Sequence, residues 1–125
     1  MSADAAQDDD RLVRLTDICM RLAGAEREMH GSHATFRVGG RPFVYYLHDH
    51  HDDGIIGVAC KLPKGENAVL VAASPKRFYM PAYVGPRGWA GLRLDRGRVS
   101  WKEVAELVRT SYGTVAPKRV VRAKG

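Results

Sequence analysis

Between Arg77 and Asp95 the chain reads RFYMPAYVGPRGWAGLRLD, a stretch holding four aromatics, three glycines, two prolines and three arginines. Prolines this close together exclude a continuous helix, and glycines permit sharp reversals, so the segment predicts a strand, a tight turn and a second strand. Gly85-Pro86-Arg87-Gly88 has proline and glycine where a type I turn accepts them, which would put Arg87 at the tip of a hairpin. On the following strand Arg93 alternates with Leu92 and Leu94 and so points away from them. Lys76 and Arg77 stand at the start of the hairpin.

The flanking segments supply the rest of a single domain. Leu12, Leu15, Ile18, Cys19 and Leu22 recur at helical spacing, which predicts a helix from Asp9 to Ala23, with Gly24 as its C-terminal cap. Short strands are expected over Glu26–His30, Ala34–Val38, Pro42–Leu47 and Ile55–Lys61, with Gly39-Gly40 as a hairpin turn. Pro63 and Gly65 precede a short apolar helix, Glu66–Ala73, which Pro75 stops. Strands follow over Phe78–Met80 and Trp89–Leu94. A last helix begins at Ser100, with Glu103 completing a capping box and Trp101, Val104, Ala105, Val108 and Tyr112 forming its apolar stripe.

This order is helix, three or four strands, helix, two strands, helix. Hairpin connections make the sheet antiparallel, and one apolar face per helix makes the fold an α+β two-layer sandwich. At 125 residues, one domain over residues 1–125 is expected, with about 1–8 and 118–125 mobile.

Composition narrows the function. The longest apolar run, Ala68–Ala73, is far shorter than the ~20 residues a spanning helix needs, so no membrane association is expected. The acidic N-terminus lacks the pattern of a secretory signal, which makes the cytoplasm the expected location. Cys19 and Cys60 show no CxxC pairing and read as buried thiols. The net charge of +6 is uneven: residues 76–125 carry 12 Lys+Arg against 3 Asp+Glu. Such asymmetry suits an acidic partner, either nucleic acid or an acidic protein surface.

The Arg77–Asp95 run, the AVLVAASPKRF segment before it, the SWKEVAELVRTSY helix after it and the Ala116-Pro117-Lys118 ending together resemble the MmcQ/YjbR family of small bacterial proteins. Pro81, Tyr83, Gly85, Gly88 and Trp89 carry much of the likeness. The resemblance implies a cytoplasmic α+β domain of the type seen in secretion chaperones, ordered helix, three strands, helix, two strands, helix. The family is often described as DNA-binding, and its motif residues imply no activity.

Two functions follow as expectations. The first is a DNA-binding protein, with regulation as one role open to it, that contacts phosphates through Lys76, Arg77, Arg87, Arg93, Lys118 and Arg119. The second is a non-enzymatic module binding a partner or small ligand at a pocket lined by Tyr79, Tyr83 and Trp89. The run HDHHDD, with His48, His50 and His51, is the one constellation with metal-ligand chemistry, and with no second cluster to fix its geometry it reads as a solvated loop. No GxSxG elbow, P-loop or HExxH is present, so no catalytic residue, metal or cofactor is assigned.

Overall fold

The computed structural model describes residues 9–49 and 54–117. The predicted mobile ends, with Lys118 and Arg119, lie outside that range, as do His50 and His51. Helix α1 spans Asp10–Met20, strands β1 to β4 span Glu26–His30, His33–Val38, Arg41–His48 and Ile56–Lys61, and helix α2 spans Glu66–Ala73. Strands β5, Phe78–Tyr79, and β6, Trp89–Arg93, follow, and helix α3, Trp101–Val115, closes the order. Four strands therefore precede α2, where the resemblance implied three.

The six strands form one antiparallel sheet ordered β1-β2-β3-β4-β6-β5. Gly39 and Gly40 join β2 to β3 with φ of 58° and 78°, the paired positive values that a primed hairpin turn requires. Because side chains alternate across a strand, register sorts them into two faces. Ala34, Tyr46, Val58, Leu92 and Phe78 are successive cross-strand neighbours on one face, all buried. Against that face lie α1 and α3 through Leu12, Leu15, Val104 and Val108. The next row, Thr35, Tyr45, Ala59, Gly91 and Tyr79, belongs to the opposite face.

A bulge sharpens the core. Phe36 pairs with Val44 and Arg37 with Pro42, so Phe43 is an extra residue on β3 and points inward beside Val44. Its ring meets Tyr112 edge-on, with centroids 5.6 Å apart. Ser111 donates its hydroxyl to the Phe43 carbonyl at 2.5 Å and accepts the Lys61 N–H at 2.9 Å. A buried serine on α3 thus satisfies a carbonyl at the bulge and fastens the helix to β3 and β4.

Local chemistry sets the helix ends. The Asp9 carboxylate accepts the Leu12 N–H at 2.9 Å and the Tyr46 hydroxyl at 2.6 Å, so one residue caps α1 and ties it to β3. The helix stops at Met20 rather than Ala23, because i→i+3 bonds from Leu22 to Cys19 and from Ala25 to Leu22 tighten the exit. Ser100 caps α3 as predicted, accepting the Glu103 N–H at 3.2 Å. The Glu103 carboxylate takes Arg77 instead of completing the box. None of the helices among the described residues is long and apolar enough to cross a membrane.

Candidate functional site

The connection from β5 to β6 occupies residues 80–88 and is not a two-stranded hairpin tip. Gly88 donates to the Gly85 carbonyl at 3.0 Å, which is the predicted turn, yet it sits within a 3-10 helix over Gly85–Arg87. Gly88 ends that helix with φ of 98°, a value that favours glycine. Helix α2 holds the connection in place through Asn67. Buried at 6% exposure, its amide donates to the Gly85 carbonyl at 2.9 Å and the Trp89 carbonyl at 3.0 Å. Arg87 lies between these two anchored carbonyls, exposed on a fixed backbone.

Arg87 faces a cleft of about 350 Å³ shared with Arg41, Lys61 and Trp89. Arg41 opens β3, Lys61 closes β4 and Trp89 opens β6, so the sheet brings three distant cations to one end. Among the described residues, none of the three cations has a carboxylate within ion-pair distance. The last turn of α3 also borders the cleft through Thr114 and Val115 and adds the partial negative end of its dipole, about half a charge. Three full positive charges outweigh that, and the cleft is suited to an anion. Arg41 and Lys61 carry no local signal in the sequence, since each is an isolated cation at a strand end.

The other predicted arginines are placed differently. Arg77 makes a double contact with Glu103 at 2.9 and 3.2 Å. Arg93 does the same with Asp95, at 3.0 Å through both nitrogens, and both side chains are only 17% exposed. Hydrogen bonds from Arg93 hold the Asp95 carboxyl below its usual range. Each guanidinium therefore already has an anion. Lys76 is exposed in the turn before β5 and does not line the cleft.

The predicted aromatic pocket is divided. Tyr79 lies flat over the sheet, so close that a Cβ on Gly91 would stand 2.4 Å from its ring. Trp89, 4% exposed, packs on Tyr45 with centroids 4.9 Å apart. Only Tyr83 of the three lines the apolar groove of about 300 Å³ between the β2–β3 surface and residues 81–84. Tyr83 is 80% exposed and has φ of 69°, an uncommon left-handed backbone for a tyrosine.

His48 ends β3, where its N–H donates to His33 Nδ1 at 3.1 Å. Among the described residues no group of three or more His, Cys, Asp or Glu side chains could hold a metal ion. Cys19 and Cys60 are buried free thiols, and burial pushes Cys60 up to about 12.

No protein of curated description matches the chain. Among solved structures, the Deinococcus radiodurans protein DR2400, which carries a DUF419 domain, is similar in fold, with a TM-score of 0.65 and 21% identity. The likeness covers 81% of this chain and 75% of that one. A family model described as YjbR matches residues 20–114, from the end of α1 to the last turn of α3 and across the whole sheet. That span includes the aromatic connection, the Asn67 anchor and all three cations of the cleft, and the chain belongs to the YjbR family.

Proposed function

We propose that the protein binds the sugar-phosphate backbone of nucleic acid at the Arg41–Lys61–Arg87 cleft, in the cytoplasm. The observation that carries this reading is the meeting of three cations from separate elements with no carboxylate beside them among the described residues. Guanidinium groups suit phosphate because their planar donors match its oxygens two at a time. Lys118 and Arg119, which follow Pro117 in sequence, are proposed as further contacts.

Titration of a DNA oligonucleotide at several salt concentrations tests the proposal. Each phosphate neutralised contributes roughly −0.9 to the slope of log affinity against log salt, so three contacts give a slope near −3. Replacing Arg41 and Arg87 together by alanine is expected to weaken binding and flatten the slope by about 2. Arg77→Ala, whose guanidinium is held by Glu103, should change the slope little. Undetectable binding at low salt, or a slope indifferent to the double substitution, would remove the cleft from consideration.

A further inference from the structure

The apolar groove and the basic cleft at the end of the sheet are adjoining compartments that meet at Tyr45 and Trp89. Tyr45 belongs to the groove and Trp89 to the cleft, and their rings, tilted by 39° with centroids 4.9 Å apart, form the partition. The Val84 carbonyl, in the groove wall, accepts the Arg87 N–H at 2.9 Å and the Trp89 N–H at 3.4 Å. One short stretch of backbone thus sets the spacing between the two.

The groove has a chemistry of its own. No Lys, Arg, Asp or Glu lines it, and apart from His30 and His33 at one end its walls are apolar or hydroxyl-bearing, which suits an uncharged occupant. Tyr45, Pro81 and Tyr83 offer flat surfaces, and a volume of about 300 Å³ lies at the small end of the range for ligand sites. Thr35 lies in the groove, only 6% exposed, and among the described residues no hydrogen bond reaches its hydroxyl. A hydroxyl is both donor and acceptor, so Thr35 in the groove wall can pair with the polar edge of a ring.

A neutral flat ring with polar edges, joined to an anion, satisfies both compartments together. We propose that the groove takes one unpaired nucleobase of a single-stranded nucleic acid whose phosphate occupies the neighbouring cleft. The inference rests on the cleft as a phosphate site and adds the strand type. A duplex cannot supply this occupant, because its bases keep their faces stacked and would have to be flipped out at a cost. Single strands present those faces freely, and stacking on aromatic side chains is how proteins hold them.

The test measures fluorescence anisotropy of a labelled oligothymidylate and of a duplex with the same number of phosphates, at two salt concentrations. The single strand is expected to bind roughly tenfold more tightly than the duplex. Tyr83→Ala should remove most of that advantage with the salt slope unchanged, since no phosphate contact is lost. Thr35→Val keeps the side-chain shape and should weaken the single strand several-fold while leaving the duplex unaffected. Equal affinities for the two forms, or single-strand binding indifferent to both substitutions, would overturn the groove assignment. The cleft reading would stand if Arg41→Ala with Arg87→Ala still flattened the slope, and would fall separately if it did not. Free thymidine supplies the last arm, followed by amide NMR shifts at Thr35, Tyr45 and Tyr83. Shifts there without any effect of the substitutions on strand binding would assign the groove to a free ring compound and overturn its role in holding a strand.

Discussion

Arg93 and Asp95 stand two residues apart at the end of β6, and their double contact decides what each can do. The Arg93 hydrogen bonds lower the Asp95 pKa, so the ionised form is favoured in the folded protein. For a carboxylate lowered on folding, the added stability is present above its ordinary value of 3.8 and is lost as pH falls through the lower folded value. Asp95→Asn is therefore expected to cost about 2 kcal/mol near pH 7, with the gap to wild type closing below about pH 4. Urea melts across that range measure it, and a gap independent of pH would exclude the ionic contribution. This pairing was legible in principle, because residues at i and i+2 share one side of a strand. The Arg77–Glu103 contact was not, since 26 positions separate the partners and only the packing of α3 beside β5 brings them together. Arg41 and Lys61 were missed for the same reason. A lone cation becomes a site only through tertiary structure.

Helix α2 shows how an element can be located from sequence while its buried side stays unread. Its bounds, Glu66–Ala73, follow from Pro63, Gly65 and Pro75, which act locally. Its sequence, ENAVLVAA, is apolar nearly all round and gives no periodic clue to orientation. Asn67 is buried while Val69 is 65% exposed, because the asparagine amide reaches two carbonyls of the β5–β6 connection, that of Trp89 and that of Gly85, which also takes the Gly88 N–H. Asn67→Ala would leave both carbonyls without that donor, and about 2 kcal/mol of stability is expected to be lost. Asn67→Asp should cost more, since a carboxylate would face two acceptors. Thermal melts of the two variants test this, and an alanine variant as stable as wild type would mean that another group holds the loop. Ser111 on α3 follows the same rule: a polar residue within an apolar stripe becomes necessary once a bulge has freed a carbonyl, and no bulge was visible in the strand pattern.

Over the whole molecule, the layered α+β plan was readable because each element carries its own period and its own stop signals. The distribution of charge was readable only in part, since 12 of the 20 Lys+Arg lie in residues 76–125 while two of the three cleft cations come from the earlier half. The same core that assembles the cleft encloses Cys19 and Cys60, and burial raises both thiols, Cys60 to about 12. Between the ordinary value of 9.0 and about 12 the unfolded chain releases these protons and the folded protein keeps them, so stability is expected to fall as pH rises through that window. At pH 8 an aromatic disulfide reagent should react with neither thiol until urea unfolds the protein. Rapid modification of the native state would contradict the closed core.

The Tyr45–Trp89 partition has an optical consequence. Trp89 and Trp101 are the two tryptophans of the chain, and Trp101 stacks under Arg14 at the α1–α3 surface, away from the cleft. An indole that lines the cleft and packs on the groove's Tyr45 changes its emission when either one is filled. A Trp101→Phe protein would therefore carry a single tryptophan, at the site, reporting occupancy of cleft and groove without any attached dye.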